Sequence, residues 1–174
     1  MNIWTDIEEK LVSPAEFPVV VEIDSAAGVK YSFDENSGIL FAGKMFASAV
    51  SGVSEGFVPR TCRRDGKPLE VLLLCAKSIV PMSVAQAHPI GVLSFENGEE
   101  RVVAVPVFDS IYGRTDSIEC VDSNVFGSVE RFCNLCESSG AIVKKSGRKE
   151  AESIVKDAIS RFGTDIAKPE RWLN

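Results

Sequence analysis

The chain has 174 residues, of which 45% are hydrophobic, and this is enough to bury the core of one ordinary domain. Its formal charge of -6 and isoelectric point near 4.9 argue against a general affinity for nucleic acid or for an anionic membrane surface. The longest apolar run, at positions 71–76, is far shorter than the roughly 20 residues that a membrane-spanning helix needs. We therefore expect one domain, spanning residues 1–174, that does not cross a membrane.

The N-terminal segment and the cysteines indicate the cytoplasm. Residues 1–9 are acidic and lack the features of a signal peptide or a transit peptide. The five cysteines are odd in number, and a chain of this size needs no disulfides to fold. A reducing cytosol is the simplest setting for such a protein.

The first part of the chain, from residue 17 to residue 107, has the pattern of β-structure. Short runs rich in Val, Ile, Leu, Phe and Tyr alternate with turn residues such as Gly, Asp, Asn, Ser and Pro. The predicted strands lie at 19–23, 29–33, 39–41, 69–74, 84–95 and 102–107, with a hairpin loop at 34–38. Several short strands of this kind suggest a barrel.

After residue 106 the pattern changes to that of helices. Apolar residues spaced three and four apart predict one amphipathic helix over 125–136 and another over 151–162. In the second helix Glu152 can pair with Lys156, and Gly163 is placed to end it. The tail at 164–174 is mostly polar, and the pattern does not say whether it docks. These elements alone predict a β-rich core followed by two packing helices.

The loop from Asp65 to Glu70 resembles a metal-binding turn with an unusual residue inside it. A tight turn with carboxylates at its first and last positions can project two acidic side chains into one site, but here Lys67 lies between them. Four cations also fall within eight residues of this region: Arg60, Arg63, Arg64 and Lys67. They form either a solvated charged loop or an attractor for phosphate and polyanions.

Several separated blocks, together with this loop, resemble one known family. Their order and spacing are similar to those of the soluble, metal-dependent inorganic pyrophosphatases (family I), over about residues 19–162. The blocks are Val20-Val21-Glu22-Ile23, Val29-Lys30-Tyr31, Glu55-Gly56-Phe57-Val58-Pro59, His88-Pro89-Ile90-Gly91-Val92-Leu93 and Val102-Val103-Ala104-Val105-Pro106. The resemblance implies an α+β, mainly β fold: a distorted five-stranded OB-type barrel flanked by two C-terminal helices. It also implies Mg²⁺-dependent hydrolysis of pyrophosphate to phosphate and association into dimers or hexamers.

The resemblance assigns metal ligands to the acidic residues of two turns. Asp65 matches the first aspartate of the family's loop, and Glu70 stands where the last one is expected. A further ligand is expected at Glu99 or Glu100, of which we favour Glu100. The alternative is that these are ordinary solvated turn residues.

Lys67 stands where the family has the aspartate that helps to activate the attacking water. An ammonium group cannot accept that proton. Lys67 either points outward or bridges Asp65 and Glu70, replacing a metal ion by a fixed cation. Glu22, another position of the family's site, is kept.

The positions that contact phosphate in the family are only partly kept. The resemblance assigns Lys30 unchanged, Arg101 in place of a lysine, and Lys44 in place of an arginine, which loses the forked geometry of the guanidinium. Four further positions depart from the family: Ser32 replaces a carboxylate, Glu55 replaces a tyrosine, and Cys136-Glu137 replaces a Tyr-Lys pair.

Two further features are more simply structural. Cys133 and Cys136 have the spacing of half a zinc site, but they lie on the apolar face of the predicted helix and no second pair completes the site. The lone His88, at the head of a strand, is expected to be structural.

Three functions follow from these observations. The first is a slow Mg²⁺-dependent pyrophosphatase. The second is a catalytically inactive relative that acts as a binding or assembly subunit, in a homo-oligomer or beside an active homologue. The third, which the overall acidity disfavours, is binding of RNA or a phosphorylated ligand through the basic loop.

Overall fold

The structure, a computed structural model, describes residues 2–24, 28–45 and 52–166. In these ranges the chain forms eight strands and two α-helices. In chain order they are β1 (Phe17–Asp24), β2 (Val29–Asp34), β3 (Ile39–Met45), β4 (Val53–Val58), β5 (Leu69–Leu74), β6 (Val84–Phe95), β7 (Glu100–Pro106), α1 (Ser123–Glu137), β8 (Ile142–Gly147) and α2 (Arg148–Asp165).

Five strands close into a ring. Their order is β1-β4-β5-β7-β6, and β6 pairs again with β1 to complete the circle. Neighbours in the ring are antiparallel except β5 and β7, which are parallel. Strand β8 adds to the outer part of β6, and β2 and β3 form a separate hairpin. This OB-like ring with two helices after it confirms the predicted fold class.

The wall of the ring is buried on both of its faces. Successive residues of β5 alternate between two apolar clusters, with Val71 and Leu73 in one and Leu72 and Leu74 in the other. Helix α2 contributes to the first cluster and α1 to the second. The two helices therefore pack against different layers of the barrel.

The structure corrects three details of the predicted elements. Helix α2 continues through Gly163 to Asp165, because Phe162 packs edge-on against Trp4 at 5.9 Å between ring centroids and holds this end of the helix. Glu152 pairs with Arg148 at 2.8 Å rather than with Lys156. Strands β4 and β8 are present although the pattern did not predict them.

The other sequence predictions are met in part. The hairpin loop at 34–38 joins β2 to β3 as expected. The predicted tail at 164–174 begins as the end of α2, and residues 167–174 lie outside the described ranges. The His88 imidazole lies 2.9 Å from the carbonyl oxygen of Thr115. Across the described ranges, neither helix has the length and apolarity to span a bilayer.

Candidate functional site

Four neighbouring strands bring the predicted site residues to one region of the barrel. Glu22 lies on β1, Glu55 on β4, Glu70 on β5 and Arg101 on β7. The register between β1 and β4 shifts at Glu22, since Val21 pairs with Gly56 and Ile23 already pairs with Glu55. Such a bulge redirects a side chain, and the Glu22 carboxylate lines the same cavity as Glu55 and Glu70.

Arg101 is the centre of this region. Its side chain is only 7% exposed and contacts four carboxylates. One guanidinium nitrogen donates to Glu70 at 2.5 Å, and the other donates to Glu137, the last residue of α1. Glu55 and Glu99 follow at 3.7 and 3.6 Å. Burial lowers the pKa of the Arg101 guanidinium, but the carboxylates outweigh burial and raise it. Arg101 is therefore a permanently charged, buried cation.

Arg63 bridges the two carboxylates of the Asp65–Glu70 loop. Its guanidinium lies 2.6 Å from Asp65 and 2.8 Å from Glu70. A tight turn holds it there, because the Arg63 N–H donates to the carbonyl of Lys67 at 2.7 Å. Although slight burial raises the pKa of Asp65, hydrogen bonds from Arg63 and from the Lys67 N–H lower it overall. The bridge considered for Lys67 is thus made by Arg63.

Two arrangements of Lys67 were expected, an outward-pointing side chain or a bridge between Asp65 and Glu70. In the structure Lys67 has the outward-pointing one. Its side chain is exposed, and its backbone N–H donates to Asp65 at 3.1 Å. Lys67 also lines the rim of the cavity that Glu22, Glu55 and Glu70 share. Its ammonium group therefore adds positive charge near the loop without being fixed in an ion pair with Asp65 or Glu70.

Lys30, assigned to phosphate by the resemblance, is held by a carboxylate. Its ammonium group lies 2.8 Å from Glu137, which also receives the hydrogen bond from Arg101. Burial raises the pKa of Glu137, but these two cations outweigh it, so the net shift is downward. Glu137 therefore takes up the positive charge of Lys30, the residue that the resemblance assigns to phosphate.

Glu22 and Glu55 are the acids of this region whose negative charge is least offset by hydrogen bonds and nearby cations. Burial raises the pKa of Glu22 to about 8, and repulsion from Glu55 and Glu70 adds to this. Burial also raises the pKa of Glu55 to about 7, although Arg101 opposes the shift. Glu22 accepts one hydrogen bond, from the Phe33 N–H at 3.0 Å.

Glu99 and Glu100 face different surroundings. Glu99 lies near Arg101 and accepts a hydrogen bond from the Ser139 hydroxyl at 3.2 Å. Glu100 is exposed and accepts from the Ser94 hydroxyl at 3.3 Å. Glu99 is thus the closer of the two to the Arg101 cluster, although the sequence favoured Glu100.

The remaining predicted residues lie around this cluster. Ser32 lines the cavity, and Lys44 is exposed on β3. Burial raises the pKa of Cys133 and of Cys136 to about 12, which keeps both as thiols on the packed side of α1. In the basic loop, Arg60 contacts Glu9 at 3.2 Å, so the loop is not a row of four open cations.

The carboxylates do not form a magnesium site in this arrangement. Mg²⁺ requires near-octahedral oxygen ligands at about 2.0 to 2.1 Å. In the described ranges, no group of three or more His, Cys, Asp or Glu side chains is arranged to hold a metal ion. Asp65 and Glu70 are instead bridged by Arg63, and Glu70 is shared with Arg101. Fixed cations thus hold Asp65 and Glu70, two of the acids that the resemblance assigns to metal.

The sequence predictions did not identify Arg63 as a site residue. It was grouped only with the basic loop, because a linear pattern does not show which side chain a tight turn folds back onto the carboxylates. The available signal was its position two residues before Asp65, where a turn at Gly66 returns it toward Glu70.

Comparison with known proteins identifies relatives of the whole barrel. Residues 19–163 match the family model for inorganic pyrophosphatase. The chain is 30% identical to soluble inorganic pyrophosphatase 2 of Chlamydomonas reinhardtii, covering 91% of this chain and 87% of that protein. It is 32% identical to the inorganic pyrophosphatase of Rickettsia prowazekii, covering 84% and 92%. The crystal structure of inorganic pyrophosphatase from Thermus thermophilus superposes with a TM-score of 0.78 at 23% identity, covering 94% and 99%.

Proposed function

Because the chain belongs to the inorganic pyrophosphatase family, we propose that it carries the pyrophosphate site of that family in a form whose hydrolysis is weakened or lost. The observation that carries this proposal is the cluster of ion pairs around Arg101. Asp65 and Glu70, which the resemblance assigns to metal, are paired here with Arg63, and Glu70 is also paired with Arg101. The family's Mg²⁺ would have to displace these cations before it could bind.

Lys67 adds a second obstacle. Were its ammonium group about 4 Å from a divalent ion, the repulsion would be on the order of 8 kcal/mol at an effective dielectric constant of about 20. It also cannot act as the proton acceptor that an aspartate provides, and loss of a general base typically slows a reaction by about 100-fold to 10,000-fold. Losses at one site are not additive, so a residual rate is compatible with this proposal.

The residues that the resemblance assigns to substrate binding are also altered in a way that disfavours pyrophosphate. Glu55 is buried, and it stands where the resemblance expects a phosphate-contacting tyrosine, so an anionic substrate would face a carboxyl group there. Lys30 is held by Glu137 rather than left open for phosphate. Pyrophosphate would therefore meet fewer available cations than the resemblance alone implies.

The test is Mg²⁺-dependent phosphate release from pyrophosphate by the purified protein. The reference is the Rickettsia prowazekii enzyme, assayed at the same protein, Mg²⁺ and pyrophosphate concentrations. We expect a turnover at least about 100-fold lower than that of the reference. Turnover within a few-fold of the reference would refute the proposal.

A second candidate function, an assembly subunit, is favoured by exposed apolar side chains after β7. Phe108 and Ile111 are 65% and 68% exposed, and Val107 beside them is 43% exposed. Apolar side chains grouped on a surface mark interaction sites more often than isolated ones do. We propose that this surface joins copies of the chain, or the chain and an active homologue, in the cytoplasm.

Light scattering after size-exclusion chromatography tests this second function. A mass that is a multiple of 18.9 kDa, reduced by the double substitution Phe108→Ser and Ile111→Ser, is the expected result. Co-purification with an active homologue, dependent on the same two residues, would show the mixed assembly. A monomer that does not bind the active homologue would exclude the subunit function.

A further inference from the structure

Another cavity lies between helix α2, strands β5 and β7, and the loop before β5. Its volume is about 390 Å³, within the range of about 300 to 1,000 Å³ that small-molecule sites have. The apolar part of its lining consists of Leu69, Val102 and Ala158, which are buried, and the half-buried Ile154 of α2. The cavity therefore offers apolar contact to a small ligand.

Two arginines of this cavity are not neutralised by an acid. Arg64 is exposed, and Arg161 of α2 donates a hydrogen bond to the carbonyl of Cys62 at 2.9 Å. Among the residues that the structure describes, neither guanidinium has a carboxylate oxygen within 4 Å. Arg63, which also lines the cavity, is already held by both carboxylates of its own loop. Because a guanidinium has five N–H donors in a fixed fork, Arg64 and Arg161 keep donors for an anionic group.

Two carboxylates of the same lining are also without an ion pair. Asp157 lies one turn before Arg161 on α2, but the hydrogen bond to Cys62 directs Arg161 toward the loop instead. Glu100 accepts a hydrogen bond from the Ser94 hydroxyl at 3.3 Å. Within the described part of the chain, no cationic nitrogen lies within 4 Å of either carboxylate. The lining thus presents unpaired charges of both signs.

A ligand with a single charge would match only half of this lining. A simple anion would be attracted to the arginines but repelled by Asp157 and Glu100, and a simple cation would meet the reverse. A zwitterion carries both charges. In an α-amino acid the carboxylate and the ammonium group lie on one carbon atom, next to a side chain that gains from burial against Leu69 and Ile154 when it is apolar.

We propose that this cavity binds a free α-amino acid with a branched apolar side chain. The carboxylate of the ligand lies against Arg64 and Arg161, its ammonium group against Asp157 and Glu100, and its alkyl chain against Ile154. Ion pairs at an exposed rim are weak, so the affinity is expected in the millimolar range. The proposal does not rest on the proposed loss of hydrolysis, because these groups lie outside the ion pairs around Arg101.

Methyl NMR of the full chain during titration with L-leucine tests the proposal, because the Ile154 methyl groups report on this cavity itself. Two fragments of leucine are the comparison ligands: isocaproate lacks the ammonium group, and isopentylamine lacks the carboxylate. L-Leucine is expected to shift the Ile154 signals saturably. Each fragment is expected to bind at least about fivefold more weakly, because it loses one ion pair and keeps the repulsion of the like charge.

Two variants assign the two charges of the ligand. Asp157→Asn should weaken L-leucine about threefold to fivefold without weakening isocaproate, whereas Arg64→Gln should weaken L-leucine and isocaproate but not isopentylamine. Both side chains are exposed, so neither variant should disturb folding. Glu150→Gln and Lys156→Gln change exposed charges of α2 outside the lining and are the matched controls, which should leave binding unchanged.

Three results would overturn the proposal. The first is the absence of a saturable Ile154 shift at millimolar L-leucine. The second is equal or tighter binding of isocaproate, which would show an anion site instead. The third is unchanged L-leucine binding when Asp157→Asn and Arg64→Gln are combined. Phosphate release is a separate readout, so each of these results leaves the proposed function untouched.

Discussion

The barrel wall and the charged cluster that it carries respond to sequence change in different ways. In β5, Val71 to Leu74 are buried on alternating faces, and other apolar side chains of suitable volume would fill the same space. One residue earlier, Glu70 depends on the particular positions of Arg63 and Arg101. The wall therefore keeps the family fold at about 30% identity, whereas a few charge changes alter what the site can bind. Membership of the family therefore does not determine the chemistry of the site.

The largest expected effect comes from removing the central cation. Arg101→Met would leave Glu55, Glu70 and Glu137 without their buried partner, which typically destabilises a protein by about 3 to 5 kcal/mol. Urea unfolding at neutral pH measures this loss. The loss should shrink near pH 5, where protons can replace the guanidinium.

Arg64→Met is the control for this change, because Arg64 is exposed. It should change the free energy of unfolding by no more than about 0.5 kcal/mol. An Arg101→Met variant as stable as the control would mean that the carboxylates do not depend on Arg101.

A truncation in the wall should have a similar but somewhat smaller effect. Leu72 is fully buried, and Leu72→Ala removes packing and leaves a cavity, at a cost of about 2 to 5 kcal/mol. Unlike the loss at Arg101, this loss should not vary with pH, since no charge is involved. Ile111→Ala, at an exposed position, is the matched control, and a pH-dependent loss for Leu72→Ala would contradict the separation of the two regions.

The pH dependence of stability should come from the cluster. The folded-state pKa values of Glu22 and Glu55 are raised to about 8 and about 7, so the folded chain keeps protons that the unfolded chain releases above about pH 4.5. The stability that these protonated groups contribute is present below that pH and is lost as the pH rises through 7 and 8. The free energy of unfolding should therefore fall between about pH 5 and pH 8.

Urea unfolding across this range measures the slope, and Glu22→Gln combined with Glu55→Gln should flatten it. Glu119→Gln should keep the slope of the wild-type chain. A wild-type stability that rises steadily from pH 5 to pH 8 would mean that neither carboxyl retains its proton in the folded state.

The smallest expected effect is a gain of metal binding. Lys67→Asp alone should bind little Mg²⁺, because Arg63 still bridges Asp65 and Glu70. Lys67→Asp combined with Arg63→Ala frees Asp65, leaves Glu70 paired with Arg101 alone and adds a third carboxylate, so Mg²⁺ should stabilise this double variant, by about 2.7 kcal/mol at 100 times its dissociation constant. Thermal unfolding with and without Mg²⁺ measures the difference. Equal stabilisation of the single and double variants would show that Arg63 is no obstacle.

The sequence predicted the barrel because most of its strands are apolar runs between turn residues. Strand β4 was missed because Ser54, Glu55 and Gly56 interrupt its apolar pattern, although all three are buried. Strand β8 was missed because Lys144 and Lys145 make it look like a solvated loop. Both strands form through pairing with distant neighbours, which a local pattern does not contain.

The sequence could predict that several of the assigned residues lie together, but not how they pair. The resemblance selected Glu22, Glu55, Glu70 and Arg101, and the structure brings these four residues to one region. Which cation neutralises which acid depends on side-chain reach and on the turn at Gly66. Arg63, and not Lys67, therefore bridges Asp65 and Glu70.

The most direct test of the central claim is a calorimetric titration of the wild-type chain with Mg²⁺ at constant ionic strength. If fixed cations hold the acids of the site, no saturable binding heat should appear at Mg²⁺ concentrations that saturate the Rickettsia prowazekii enzyme. Stoichiometric Mg²⁺ binding to the wild-type chain, abolished by Glu70→Gln, would contradict the account.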